Sequence, residues 1–350
     1  MKKNIFSFWV LVSFLTPLAV FSDTAWDKDN PVIPIPNSPL GIETKLSELP
    51  NPPTPERVRL GRWLFFDKRL SKDGTISCAS CHRPEHAFSE PTPVSSGIRG
   101  QKGNRKAPSF VNLAWTLYPH FFWDGRAKSL EEQALGPVQN PIEMGNTLEE
   151  MLKTLNGIPG YKAEFKKVFG SKEITSENVA LAIADYERTR MSGNSAYDRW
   201  KAGDEKAVSA EVKKGDELFS GKAQCNNCHL GANFTDNLFH NLGIGWDAKT
   251  KSFSDECRAK VSKNPEDIGA FKTPTIRDVS KHAPYMHDGS IKTLEEVVEH
   301  YNKGGTANPH LSPKLKKLKL TKKEVKAIVA MMRSLDGTGY EDTSPKSFPQ

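Results

Sequence analysis

The sequence predicts a mainly α-helical protein with two small domains of similar design, long loops and little β-structure. Helix signals dominate. A threonine followed by leucine and two glutamates is typical of an N-cap and first helical turn, and it occurs at Thr147 and again at Thr293. The 25 glycines and 24 prolines indicate long loops, and strand signals are weak. The chain also repeats itself in outline, which favours two domains over one large core.

The first residues indicate an export signal. Met-Lys-Lys-Asn precedes a mostly apolar run over residues 5–21, which is typical of a secretory signal peptide. We therefore expect residues 1–22 to be cleaved and the mature protein to be periplasmic. An uncleaved membrane anchor is the alternative, and no later segment is apolar enough to cross a bilayer.

Residues 23–55 and 338–350 flank the two domains. The first stretch is rich in proline and predicts an extended arm that does not pack as a unit. The second stretch predicts a frayed tail. Between them we expect an N-terminal domain over residues 56–198 and a C-terminal domain over residues 199–337. Gly193 and Gly203 bracket the polar boundary between the domains.

Each domain begins with the same short pattern. A phenylalanine follows a glycine by four residues, or one helical turn, at Gly61 and Phe65 and again at Gly215 and Phe219. Two longer helices are also predicted from apolar residues at helical spacing, over residues 175–190 and 321–335.

A C-x-x-C-H pentapeptide follows this pattern in both domains. The two thiols of such a motif can add to the vinyl groups of one haem, and the adjacent imidazole can bind its iron. A redox C-x-x-C pair and half of a zinc site are the alternatives, but neither requires a histidine after each pair. The sequence therefore predicts two covalently bound haem c groups, attached by Cys78, Cys81 and His82 and by Cys225, Cys228 and His229. The fifth cysteine, Cys257, is left as a buried or an exposed reactive thiol.

The charge pattern bears on two classes of partner, nucleic acids and acidic redox proteins. The formal net charge is +7, and loss of residues 1–22 would remove Lys2 and Lys3 and lower it to +5. No nucleic-acid recognition motif accompanies the lysines, so we expect no nucleic-acid partner. A solvated helix face or a docking patch for an acidic electron-transfer partner would explain the basic cluster near the C-terminus, which contains Lys314, Lys316, Lys317, Lys319, Lys322, Lys323 and Lys326.

Several further blocks, in order, resemble the bacterial di-haem cytochrome c peroxidases, a family that includes the MauG-type enzymes. The blocks are Phe-Trp-Asp-Gly-Arg at 122–126, Leu-Glu-Glu-Gln-Ala at 130–134 and Ala-Pro-Tyr-Met-His-Asp-Gly at 283–289, together with both haem motifs. The resemblance covers residues 55–335. It implies that the N-terminal haem meets hydrogen peroxide and that the C-terminal haem passes electrons.

The resemblance also assigns catalytic roles. Trp123 matches the tryptophan between the two haems, and Gln133 and Glu143 match the pair that lines the peroxide pocket. Without the resemblance, Trp123 would be read as a core aromatic and Glu143 as a carboxylate stabilised by a helix dipole. A carboxylate over the iron would move a proton between the peroxide oxygens, and an amide would hold peroxide without adding charge.

The chain departs from the family pattern at the first haem. Many relatives place a histidine on the loop after the first motif, where it caps the resting iron. Ile98 takes that position here, so we expect a five-coordinate iron with His82 as its only protein ligand. His86 lies one turn from His82, on the same side. His120 is either a polar loop residue or a ligand that approaches the pocket.

A second departure concerns the other iron. The peroxidases use methionine as its distal ligand, whereas Tyr301 takes that position here, as in MauG-type enzymes. A phenolate favours ferric iron and lowers the potential relative to methionine. The neighbouring His300 is the rival ligand, and both cannot face the iron from one helix.

A third departure makes calcium doubtful. The family often binds calcium between the haems through an asparagine, and Lys106 takes that position here. An ammonium cannot ligate a cation, so we expect the lysine to replace the ion and to face the carbonyls of His282 and Pro284.

The leading hypothesis is a periplasmic di-haem peroxidase. A small redox protein, either a cytochrome c or a cupredoxin, would supply its electrons. A MauG-like oxidase acting on an oxidisable partner protein and a di-haem electron carrier remain as alternatives. The resemblance also implies a possible homodimer, although no interface can be argued from the sequence.

Overall fold

The computed structural model describes residues 24–114, 120–171 and 173–350. The expected signal peptide lies outside the described residues. No helix in the described part is long and apolar enough to span a membrane. The helices are α1 (Ala25–Asp29), α2 (Pro55–Phe66), α3 (Cys78–Cys81), α4 (Leu130–Gln139), α5 (Leu148–Asn156), α6 (Pro159–Phe169), α7 (Ser176–Arg188), α8 (Ala196–Lys201), α9 (Ala210–Ser220), α10 (Arg258–Ser262), α11 (Leu294–Asn302) and α12 (Lys322–Arg333).

Strands are few and short, so the expected mainly α-helical class is confirmed. Among the described residues, β1 (Phe239–Asn241) pairs antiparallel with β4 (Ala270–Lys272), with His240 opposite Phe271. A second ribbon pairs β2 (Trp246–Asp247) with β3 (Ser252–Phe253). Both ribbons lie in the C-terminal half of the chain.

Side-chain caps explain where the expected helices begin. The Thr147 and Thr293 hydroxyls accept the backbone N–H three residues later, at the starts of α5 and α11. Thr175 and Thr321 cap α7 and α12 in the same way. Each cap satisfies a backbone donor that has no partner within its own helix.

The repeated glycine–phenylalanine pattern builds the same helix crossing twice. A Cβ added at Gly61 on α2 would lie 1.8 Å from the carbonyl oxygen of Ala182 on α7. A Cβ added at Gly215 on α9 would lie 2.0 Å from the carbonyl oxygen of Ala327 on α12. Only glycine permits these close approaches.

Each crossing supports its own apolar core. The first core contains Trp63, Phe65, Phe88, Phe165 and Tyr186, and the second contains Phe219, Phe234, Ile328, Met331 and Leu335. Burial of each such side chain stabilises the fold by roughly 1.5–3 kcal/mol.

The proline-rich arm is mostly extended, as expected, but it packs on the rest of the protein. Leu46 and Leu49 are buried beside Met191, and the Gly41 carbonyl accepts a hydrogen bond of 3.0 Å from Arg277. The arm thus contacts the neighbouring parts of the protein through its apolar side chains and carbonyls.

The expectation of a frayed C-terminal tail is wrong. Tyr340 is only 2% exposed and belongs to the first core. The Asp342 carboxylate accepts hydrogen bonds from Arg62 (3.0 Å), Tyr186 (2.9 Å) and Arg190 (3.2 Å). Charge-assisted bonds in a partly buried setting hold the tail on the N-terminal half of the chain.

Candidate active site

Two cavities lie beside the two C-x-x-C-H motifs. The first cavity, about 540 Å³, is lined by Cys78, Cys81 and His82. The second cavity, about 230 Å³, is lined by the other motif, Cys225, Cys228 and His229. All six motif residues therefore face open space. None of the described cysteines is in a disulfide. The two motifs line different cavities instead of converging as a four-cysteine zinc site would require.

Both motif histidines are held in the tautomer that an iron requires. The Nδ1–H of His82 donates to the Phe88 carbonyl at 2.9 Å, and that of His229 donates to the Phe234 carbonyl at 2.9 Å. The Nε2 lone pair is therefore left for a metal. Burial lowers the pKa of both imidazoles and keeps them neutral.

The two carbonyls belong to strained residues. Phe88 has φ +58° and Phe234 has φ +50°, and bulky side chains rarely adopt this left-handed conformation. Strain of this kind costs roughly 1–3 kcal/mol and persists where the surrounding structure requires it. Its occurrence at both motifs indicates that orientation of the histidine is the requirement. The thiols, the open Nε2 atoms and the cavities together fit a haem at each motif.

Glu143 and Gln133 line the first cavity. The Asn140 Nδ2 donates to Glu143 Oε1 at 2.7 Å. Burial raises the pKa of Glu143, although Arg126 and the Asn140 bond act against this shift. The carboxyl group is thus fixed in the cavity and tuned towards proton transfer. Gln133 lies on α4, which Ser129 caps.

Ile98 is buried against the loop that carries Glu143. Its backbone N–H donates to the Glu143 carbonyl at 2.8 Å, and its side chain is 4% exposed. A Cβ added at Gly145 would lie 2.2 Å from Ile98 Cδ1, which places the isoleucine against this glycine. Among the described residues that line the first cavity, His82 is the only histidine. The sulfur-bearing Met144 also lines it and belongs to the buried apolar core.

His120 packs elsewhere. Its ring lies 5.7 Å from that of Phe239, and it is not among the described residues that line the first cavity. Burial and the nearby Arg258 lower its pKa, so the imidazole is neutral near pH 7.

The rival ligands of α11 occupy different environments. Tyr301 lines the second cavity, and burial raises the pKa of its phenol. A bound cation would oppose that shift and favour the phenolate. His300 instead places its Nε2 at 3.0 Å from the Leu242 carbonyl. The structure thus brings Tyr301, and not His300, to the cavity.

Trp123 lies in the wall between the cavities. It lines both of them, its indole Nε1–H donates to the Lys106 carbonyl at 2.8 Å, and its own carbonyl accepts the Lys272 N–H at 2.9 Å. Hydrogen bonds therefore hold both the ring and the backbone of the residue expected between the haems.

Lys106 has a different partner from the one expected. Its ammonium donates to the Glu90 carbonyl, so the expected contact with the carbonyls of His282 and Pro284 is wrong. Its charge nevertheless contributes, after burial, to lowering the pKa of His282 to about 3.

Sequence reasoning did not identify Glu187 as a residue of the first cavity. Glu187 on α7 is buried there, and its Oε2 has no hydrogen-bond partner among the described residues. Burial raises its pKa to about 8. The helical spacing offered a signal, because Ala180 and Ala184 place Glu187 on the buried face of α7.

The sequence of this chain matches a known protein family. A sequence model of the di-haem cytochrome c peroxidases matches residues 55–206. The methylamine utilization protein MauG of Methylorubrum extorquens is 40% identical over 301 residues, covering 85% of this chain and 82% of that protein. The cytochrome c551 peroxidase of Nitrosomonas europaea is 37% identical over 286 residues, covering 82% of this chain and 81% of that protein.

A solved structure shares the fold. The crystal structure of a MauG-like protein associated with microbial copper homeostasis superposes with a TM-score of 0.78 at 31% identity. The match covers 91% of this chain and 97% of that one. The chain therefore belongs to the di-haem cytochrome c peroxidase and MauG family.

Proposed function

We propose that this chain is a periplasmic di-haem peroxidase. It reduces hydrogen peroxide in the first cavity with electrons that pass through a second haem, which His229 and Tyr301 ligate. Residues 56–198 and 199–337 form the two haem domains, and each carries one covalently attached haem c. A calcium ion is not part of this proposal, because Lys106 stands at the expected ligand position.

One observation carries the proposal. Trp123 lines both cavities, with Glu143 and Gln133 in the first and Tyr301 in the second. A proton-transfer group, an aromatic bridge and a second ligand set are therefore contiguous. An electron carrier would not need Glu143 or Gln133 in its cavity.

The residues act on peroxide as follows. Bound haem supplies an iron that changes oxidation state. Glu143 accepts the proton of one peroxide oxygen and returns it to the other, while Gln133 holds the substrate by hydrogen bonds. Two electrons and two protons complete the conversion of one peroxide into two water molecules. Trp123 offers an aromatic route between the cavities.

The first haem is open at rest in this proposal. Ile98 packs against Gly145, and His120 packs against Phe239. His82 is thus the expected protein ligand of that iron. Peroxide can then bind without prior displacement of a side chain.

The proposed electron donor is a small acidic redox protein, either a cytochrome c or a cupredoxin. Lys314 and Lys316 line the second cavity and are exposed. Opposite charge on a partner would speed its association with this surface.

A second candidate function is oxidation of a dedicated partner protein. The burial of Tyr301 in the second cavity favours it, because an anionic ligand stabilises oxidised iron. The relative at 40% identity is itself a methylamine utilization protein. Turnover with a small redox donor separates the two candidates, since a dedicated oxidase would consume peroxide slowly with that donor alone.

The decisive experiment is an electron paramagnetic resonance spectrum of the oxidised, haem-loaded protein. We expect one high-spin signal from an open first haem and one low-spin signal from the second. Two low-spin signals would overturn the open site. Steady-state peroxide consumption in the presence of an excess of a reduced small redox protein then tests the activity.

A further inference from the structure

Lys106 is at the centre of the wall between the two cavities. It lines both of them and is 4% exposed. Its N–H donates to the His287 carbonyl at 2.7 Å, and its carbonyl accepts the Trp123 indole N–H at 2.8 Å. Its ammonium donates to the Glu90 carbonyl. One residue therefore joins the aromatic bridge to both halves of the molecule.

The side chain brings a positive charge to this wall. Burial lowers the pKa of Lys106 to about 8, and Glu90 opposes the shift, so the ammonium remains mostly protonated at pH 7. Burial lowers the pKa of the neighbouring Lys272 to about 7.

The surroundings of Lys106 accept such a charge. The Glu90 carboxylate is buried and receives hydrogen bonds from the Ala107 N–H at 2.6 Å and the Thr92 hydroxyl at 3.0 Å. The His282 imidazole is neutral, because burial and the charge of Lys106 lower its pKa. The buried ammonium thus has an oxygen partner and a nearby anion, which offset its loss of hydration.

These residues do not fit the calcium ion that the family implies. Calcium takes several oxygen ligands, whereas an ammonium offers three donors and no acceptor. The Glu90 carbonyl is already occupied by the lysine.

We propose that Lys106 is a built-in cation between the two haems, which takes the electrostatic role of an exchangeable metal ion. Its backbone carbonyl separately holds the Trp123 indole. The proposal rests on the proposed function only in requiring that both haems bind. A nearby positive charge favours ferrous over ferric iron, so Lys106 raises the reduction potential of both haems. Lys106 thereby makes the reduction potentials of both haems independent of calcium.

The test compares three proteins with both haems attached. In the wild type, a calcium chelator followed by added calcium should change neither the midpoint potentials nor the metal content. In Lys106→Met, both potentials should fall, and calcium should not restore them. Lys102→Met is the matched control, because Lys102 is an exposed lysine of the same loop whose ammonium donates to the Ser96 hydroxyl. Its potentials should equal those of the wild type.

Lys106→Asn adds a gain-of-function arm. It restores the family's side chain and should show low potentials in chelator that rise when calcium is added. Stoichiometric calcium in the wild type, with potentials that fall on chelation, would overturn the proposal. Equal potentials in Lys106→Met and the wild type would overturn it too.

Further measurements distinguish a change in reduction potential from failed folding and from lost activity. If Lys106→Met fails to hold both haems, Lys106→Arg keeps the charge and should keep both potentials near those of the wild type, and a fall in either would contradict the proposal. The wild-type chelation experiment decides the calcium question without any variant. If the haem-loaded wild type fails to turn over peroxide while the expected differences in potential are found, the proposed function is contradicted and this inference stands.

Discussion

Replacement of Glu143 by glutamine tests the chemistry of the first cavity most directly. The Asn140 Nδ2 donates to Glu143 Oε1 at 2.7 Å, and an amide oxygen can accept the same bond. The fold and the haem content should therefore be preserved. General acid–base catalysis typically contributes about 10²–10⁴-fold, or about 3–5 kcal/mol of barrier, and we expect kcat/KM for peroxide to fall by that factor.

The pH profile sharpens this prediction. Burial raises the pKa of Glu143 above its ordinary value, and the ionised carboxylate is the form that accepts a proton. In the wild type, kcat/KM should rise as the pH increases through that raised pKa. The Glu143→Gln protein should lack this rise of kcat/KM with pH.

Stopped-flow measurement of peroxide consumption by the reduced, haem-loaded protein provides the assay. The control is Glu149→Gln, which alters an exposed carboxylate on α5 and should behave like the wild type. A Glu143→Gln protein that keeps full haem and a rate within about threefold of the wild type, at every pH, would refute the assigned role.

Two further pairs of substitutions test the ligand of the second haem and a buried ion pair. Tyr301→Met should raise the reduction potential of the second haem, since a neutral thioether replaces an anionic ligand, whereas His300→Gln should leave that potential unchanged. A potentiometric titration measures both potentials. The reverse pattern would make His300 the ligand. Arg277→Met should destabilise the protein by about 3–5 kcal/mol in denaturant unfolding, because Asp198, which accepts two hydrogen bonds of 3.0 Å from this arginine, would stay buried without its partner. The exposed Arg199→Met should change stability by less than about 0.5 kcal/mol, and an equal loss in both variants would contradict the argument.

The helices could be predicted from the sequence because their signals are local. The Thr147 cap and its partner N–H are three residues apart, and so are the cap and donor at Thr293. The packing of the tail could not be predicted in this way. Asp342 contacts Arg62 and Tyr186, which are distant in the chain, and no periodic pattern records such a contact.

The candidate site likewise contains residues that the sequence could identify and residues that only the tertiary packing reveals. The haem motifs are contiguous, so their residues could be named from spacing alone. Glu187 stood in an expected helix, but only the packing of α7 shows that its carboxyl group reaches the first cavity. The Lys106 position was identified, yet its partner was not, because Glu90 comes close only through the loop that follows the first motif.

Residues 24–55 and 338–350 each pack on a part of the molecule that is distant in the sequence. The arm reaches the C-terminal half through Gly41 and Arg277, while the tail returns to the N-terminal half, where the Gln350 carbonyl accepts the Gly160 N–H at 2.6 Å. A bulky label attached within residues 338–350 would therefore disturb the half of the protein that carries the first motif, although that half lies far from these residues in the sequence. A label that leaves both contacts intact belongs in an exposed loop, and an unlabelled protein is the safer reference for every measurement of electron transfer.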